Sequence, residues 1–153
     1  MSEHSIIIDW KRKTDNFEYS TYNRTHTIRY SPSGEICASS APEFYGDQSC
    51  VNPEQAFVMA YASCHMLTFL ALASKKGYTI DSYYDEAICE LGKNPKNRSA
   101  VTAILLNPKV HISGDKMITT EIFESLHKQA HGACIIANSI ADWITTSVKP
   151  ELL

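Results

Sequence analysis

The sequence predicts an α+β fold in which antiparallel sheets pack on one long, central, apolar helix, with residues 1–153 forming a single domain. Three observations carry that expectation. At 153 residues the chain has the length of one domain. Its apolar alternation comes in runs of consecutive strands, not in single strands alternating with helices. Residues 55–74 then run for twenty positions without a formal charge, which suits one long buried helix. Composition narrows the class further. Hydrophobic residues make up 44% and charged residues 20%, which excludes a disordered chain. With 14 Lys plus Arg against 17 Asp plus Glu, the chain lacks the basic excess of a nucleic-acid binder.

Residues 5–11 and 25–30 read as strands, the second alternating His26, Ile28 and Tyr30 against Thr25, Thr27 and Arg29. Ser31-Pro32-Ser33-Gly34 is turn chemistry, and residues 35–39 return as its hairpin partner. Pro42 and Gly46 mark residues 41–50 as a loop. Asn52 then supplies an N-cap, Pro53 a first helical residue, and Glu54 a negative charge at the positive end of the helix dipole. This helix is expected to run to about Lys76 and to stop at Gly77. Residues 79–91 and 99–113 read as two long strands, each a curved hairpin arm, joined by Gly92-Lys93-Asn94-Pro95. Thr119 or Thr120 opens a second helix that runs to about His131 and breaks at Gly132. Residues 134–140 read as a short third helix and residues 143–148 as a closing strand.

The apolar helix is long enough to span a bilayer. Ser63, His65 and Thr68 near its middle, its alanine content, and the lack of a second apolar span favour a buried protein centre, with no membrane partner. One small sheet cannot cover such a helix on every side, so the sequence predicts an intertwined or tightly packed homodimer. Residues 1–9 hold no basic segment ahead of an apolar one, which makes the cytoplasm the default compartment. There, five Cys read as free thiols.

Two of those thiols stand out. Cys64 sits within the apolar helix, where a small core hydrophobe is the ordinary role of a cysteine. A reactive role needs an electropositive neighbour, and His65 does not supply it by position, since adjacent helical residues point about 100° apart. Cys134 follows Gly132 at the expected start of the short third helix, where backbone N–H groups stabilise a thiolate. Cys37, Cys50 and Cys89 read as packing or incidental surface residues. His127, His131 and Cys134 fall at i, i+4 and i+7, a possible metal face if no break intervened, but Gly132 interrupts it and no paired knuckle accompanies it. Arg24 reads as a surface strand residue and Glu54 as a first-turn acid. No glycine-rich phosphate loop, serine elbow or dinucleotide fingerprint appears, and no cofactor is expected.

Three blocks carry a resemblance. The first is Asn52-Pro53-Glu54-Gln55-Ala56-Phe57 with Ala62-Ser63-Cys64-His65-Met66. The second is Ala130-His131-Gly132-Ala133-Cys134-Ile135-Ile136-Ala137-Asn138-Ser139, and the third is Tyr22-Asn23-Arg24-Thr25-His26-Thr27. On these the chain resembles the OsmC/Ohr family, the osmotically inducible and organic hydroperoxide resistance proteins. With Ser-Cys-His-Met at the first Cys and Ile135 where many Ohr-type sequences carry Pro, it is most similar to the OsmC-like branch.

The resemblance implies the OsmC-like fold and a thiol-dependent peroxidase that reduces organic hydroperoxides without a cofactor. It matches Cys64 to the peroxidatic Cys, Cys134 to the resolving Cys, Arg24 to the Arg that pairs with the thiolate, and Glu54 to the helix-start acid. A guanidinium lowers a thiol pKa and orients a peroxide oxygen. An external dithiol then reduces the resulting disulfide. Phe57, Tyr61, Met66 and Phe69, on or around the Cys64 helix, are the residues expected to line an apolar substrate entrance. Glu54 and Cys64 stand ten residues apart on one helix, about 15 Å along its axis and about 80° around it. A Glu54 that orients Arg24 beside a thiolate must therefore serve the Cys64 of a partner subunit. A non-enzymatic stress-response or ligand-binding module and a Cys/His metal-binding protein are the alternatives.

Overall fold

The computed structural model describes residues 2–153; Met1, the first residue of the segment read above for a leader, lies outside them. The chain divides into two compact units, one up to Ala56 and one from Phe57 onward. In the first, β1 (Ile7–Asp9), β2 (His26–Arg29) and β3 (Glu35–Ala38) form an antiparallel sheet in that order. The hairpin turn closes where its residues predict, with Tyr30 N donating to Gly34 O at 3.0 Å. Ile6, Ile7 and Ile8 are all exposed on this chain.

The expectation of five free thiols is corrected here: Cys37 and Cys50 form a disulfide. Sequence spacing did not show it because the pairing is made by a returning loop. Val51 bridges Ala38 in parallel, Ser39 N donates to Val51 O at 3.0 Å, and Val51 N donates to Cys37 O at 3.1 Å. That brings the two Cα atoms to 5.0 Å, inside the range a disulfide spans.

The helix α1 (Pro53–Lys75) has both ends where local chemistry places them. Asn52 and Gln55 cap it reciprocally: Gln55 N donates to Asn52 Oδ1 at 2.8 Å and Asn52 N to Gln55 Oε1 at 3.0 Å. At the other end Gly77 takes φ +76°, Gly77 N donates to Ser74 O and Tyr78 N to Ala73 O, a Schellman closure. By length and composition α1 could cross a membrane, a test that a core helix passes as well. It buries one stripe, Tyr61, His65, Phe69 and Ala73, and exposes Met59 and Leu67.

In the second unit each long strand breaks in two. The chain runs β4 (Thr79–Asp85), β5 (Ile88–Lys93), β6 (Ser99–Leu106) and β7 (Pro108–Ser113), so the hairpin arms bend together and feed two sheets. Asp85 Oδ1 accepts from Asn107 N at 2.7 Å and Asn107 Nδ2 donates to the Glu86 carbonyl at 3.0 Å, locking the corner. Pro108 opens β7 opposite Asp85, and the first position of a strand tolerates a residue without an N–H. After α2 (Thr120–Ala133) the chain adds β8 (Thr145–Val148) parallel to β6 and β9 (Glu151–Leu152) parallel to β7. Parallel pairing needs a crossover, and α2 lies in the connection. The sheets are thus mixed, while the α+β class and the long central helix stand as expected.

Two further expectations change. Gly132 does not break α2, because it keeps helical backbone and faces open space, so the helix continues to Ala133. The short third helix shrinks to a 3-10 turn at Ala137–Ser139, and Cys134 caps the end of α2 instead of starting a helix.

Two apolar clusters lie along α1 in this unit. Tyr61, Ile104 and Leu106 form one, and Phe69, Ala73, Tyr78, Val110, Phe123, Leu126 and Ala130 form the other. Between Tyr61 and Phe69 on the helix come Cys64 and His65. The polar side chains therefore collect at the seam between the two clusters.

Candidate active site

At that seam the structure brings together the two cysteines that stand 70 positions apart in sequence. Cys134 Sγ donates to Cys64 Sγ across 2.7 Å, and both are free thiols. Their surroundings differ. Cys64 is half-buried, whereas Cys134 is fully buried. Burial pushes the Cys64 thiol up, but the Cys134 S–H, the backbone N–H groups of Ile136 and Ile135, and the Thr68 hydroxyl together outweigh it and hold Cys64 below the ordinary thiol value. Thr68 Oγ1 also donates to the Cys64 carbonyl at 2.8 Å. Cys134 moves the opposite way: burial, the hydrogen bond it gives to Cys64, and the charge on Cys64 raise it, against a smaller pull from Ala137 and Ile136 N–H. Ala137 N lies 3.3 Å from Cys134 Sγ. The N–H groups after Cys134 were expected to activate Cys134 itself. They serve Cys64 more, because the turn wraps around both sulfurs and Cys134 keeps its proton as a donor.

Histidines make the rest of the seam. Tyr61 Oη and His131 Nδ1 lie 3.2 Å apart, and His65 Nε2 and His127 Nδ1 lie 3.1 Å apart. The His65 and His127 rings are nearly parallel, and His127 also stacks on Phe69 at 4.2 Å. Burial, with the charge of His131 adding, holds His65 down at about 4. Burial, with the charge of His65 adding, holds His127 down at about 3. Both rings are therefore neutral at pH 7. Whichever ring donates in their shared bond, His65 Nδ1 and His127 Nε2 remain without partners. Histidine on a helix is usually solvated, but His127 is buried although Glu124 and Lys128 on the same helix are exposed. The i, i+4 spacing of His127 and His131 serves hydrogen bonds across to α1, and no cluster of three metal-ligating side chains occurs among the described residues. The buried stripe Tyr61, His65, Phe69, Ala73 is the signal that could have placed His65 inward.

Of the residues expected to line a substrate entrance, Tyr61 and Phe69 are fully buried core residues, and Phe57 and Met66 are half-buried. Arg24 lies in the first unit. Its guanidinium donates to Tyr22 O at 2.9 Å and to Tyr19 O, and sits 4.1 Å from the Tyr22 ring centroid and 5.2 Å from those of Tyr19 and Tyr45. Glu54 occupies the first turn of α1 and is half-buried.

The family model described as OsmC-like protein matches residues 46–149. An OsmC-like protein of unknown function from Vibrio cholerae is 41% identical, with 100% of both chains covered and a TM-score of 0.90. An OsmC-like protein from Mycoplasma pneumoniae shares the fold at 16% identity, with 99% and 96% covered and a TM-score of 0.71. The organic hydroperoxide resistance protein OhrB of Bacillus subtilis does so at 19% identity, with 99% and 98% covered and a TM-score of 0.67. No curated protein matches the chain in sequence.

Proposed function

Because this chain belongs to the OsmC-like protein family, we propose that it is a cysteine-based hydroperoxide reductase in which Cys64 is peroxidatic and Cys134 resolving. One observation carries the reading: an accessible thiol held low by the S–H of a buried thiol 2.7 Å away. The Cys64 thiolate attacks one peroxide oxygen, the O–O bond breaks, and the departing alkoxide takes a proton to leave as an alcohol. Cys64 is left as a sulfenic acid. Cys134 then attacks Cys64 Sγ, its proton leaves with the hydroxyl as water, and the disulfide forms. The sulfurs need to close only from 2.7 Å to about 2.0 Å. An external dithiol restores the pair by exchange.

Arg24 is assigned to orient the peroxide and hold the thiolate, and Glu54 to orient Arg24. On one continuous helix the separation of Glu54 from Cys64 supports a site shared between two copies, and the exposed Met59 and Leu67 of α1 favour the same homodimer. Phe57 and Met66 are the residues of the expected entrance with surface to offer an alkyl group. A cytoplasmic setting, where dithiol reductants are plentiful, suits such a cycle. The test is hydroperoxide turnover with a dithiol reductant, with non-reducing mass spectrometry after stoichiometric cumene hydroperoxide. A Cys64–Cys134 cross-link is expected; unmodified thiols would return the chain to a non-enzymatic module. A mixed dimer of Cys64→Ser and Glu54→Ala chains should recover activity that both homodimers lack.

A further inference from the structure

The Cys37–Cys50 disulfide plays no part in the cycle above, and its two sulfurs are not equivalent. Cys37 is exposed on β3, while Cys50 is buried beside the bridge that returns the loop. Disulfides in a reducing compartment are commonly transient or redox-sensing, and exposed bonds exchange most readily. This bond also closes a particular loop. Residues 38–49 carry the 3-10 turn Pro42–Phe44 and then Tyr45, a non-glycine residue at φ +60°. The Tyr45 ring lies 5.2 Å from the Arg24 guanidinium and packs edge-on against Tyr19. Asp47 N donates to Ser39 Oγ at 3.0 Å, so the loop folds back on its own stem. A pocket bounded by Arg24, Tyr22, Tyr45 and Asp47 opens there. Past Cys50 only Val51 intervenes before Asn52, the cap of α1.

We propose that Cys37–Cys50 is a second redox site of this chain, exchanged with a dithiol through attack at Cys37, the exposed residue of the pair, and that its reduction loosens the loop whose Tyr45 walls Arg24. In the first step a thiolate of the dithiol forms a bond to Cys37 Sγ. The Cys37–Cys50 bond breaks, and Cys50 leaves as a thiolate that takes up a proton. The second thiol of the reductant then attacks its own sulfur in the mixed disulfide. Cys37 is released as a thiol, the reductant becomes a disulfide, and two electrons have moved to the protein. An oxidised disulfide of the same class runs the sequence backwards. Once the bond is open, the parallel bridge at Ala38 and Val51 and the Asp47–Ser39 hydrogen bond remain to hold the loop stem, with no covalent tie. The consequence for turnover rests on Arg24 acting at Cys64; exchange at Cys37 and loosening around Arg24 do not.

The experiment uses the full chain and no peroxide, so it reads this site whether or not the peroxidase assignment holds. Native protein is treated with dithiothreitol, and new thiols are trapped with N-ethylmaleimide and located by peptide mass spectrometry. Arg24 is labelled in parallel with phenylglyoxal, and amide exchange is followed over residues 38–49. Trapping of Cys37 and Cys50 in the folded protein is expected, with severalfold more Arg24 labelling and faster exchange in the loop. A Cys37→Ser/Cys50→Ser chain should match the reduced protein and ignore dithiothreitol. A bond that opens only after denaturation overturns the exchange site. Reduction that leaves Arg24 labelling and loop exchange unchanged overturns the coupling.

Discussion

Cys37 and Cys50 are joined, whereas Cys64 and Cys134, with sulfurs 2.7 Å apart, are not. The first pair is set by backbone: a one-residue parallel bridge brings the loop stem together, and one of its two residues, Cys37, is exposed. The second pair is set by side-chain packing at the seam between two apolar clusters, where one thiol donates to the other. Proximity alone therefore does not define a cysteine pair's role. The second pair is distinguished by its asymmetry: the seam buries Cys134, which raises its thiol, and surrounds Cys64 with donors that hold it low.

The strongest way to break this comparison is at the seam. Cys64→Ser should reduce hydroperoxide consumption to background, while Cys134→Ser should complete one turnover and stop at a sulfenic acid that dimedone traps. Full turnover by Cys64→Ser removes the assignment. A smaller effect sharpens it: in Cys134→Ala the Cys64 thiolate loses its S–H donor, so the midpoint of its pH-dependent alkylation should rise toward or above the ordinary value of about 8.5. A midpoint that stays low would show that the backbone N–H groups suffice.

The histidines give a third test, read on stability. His65 and His127 are held down at about 4 and about 3, so the folded state disfavours protons that an unfolded His binds near pH 6.5. Their contribution is fully present above about pH 6.5 and is lost as the pH falls toward 4. The denaturant midpoint should drop across that window, and Cys134 should become accessible to a disulfide reagent that works in acid. A flat stability profile between these pH values counts against a neutral buried pair. The smallest effect is expected from Tyr61→Phe, which keeps the ring and deletes the hydroxyl 3.2 Å from His131. It should lower unfolding free energy by about 1 kcal/mol and leave the Cys64 alkylation midpoint nearly unmoved.

Element ends were legible in the sequence wherever a few neighbouring residues decide them. Asn52 with Gln55, Gly77 after Lys76, and Thr119, whose side chain accepts from Ile122 N, each act within four positions of their partner. The motif blocks around Cys64 and Cys134 were legible in the same way, as strings. What the chain does over longer separations carries no such local mark. The corner at Asp85 and Asn107 joins residues 22 apart, and β8 meets β6 only after α2 has crossed over. Cys37 selects Cys50, Cys134 reaches Cys64, and His127 turns inward to His65 because sheets and helices close around them. By itself the sequence determined the α+β class, the limits of the long helix and the two thiols of interest, since periodicity and caps act locally. Only the tertiary structure decided which cysteines are bonded and which thiol is held low, because burial and non-local hydrogen bonds set both.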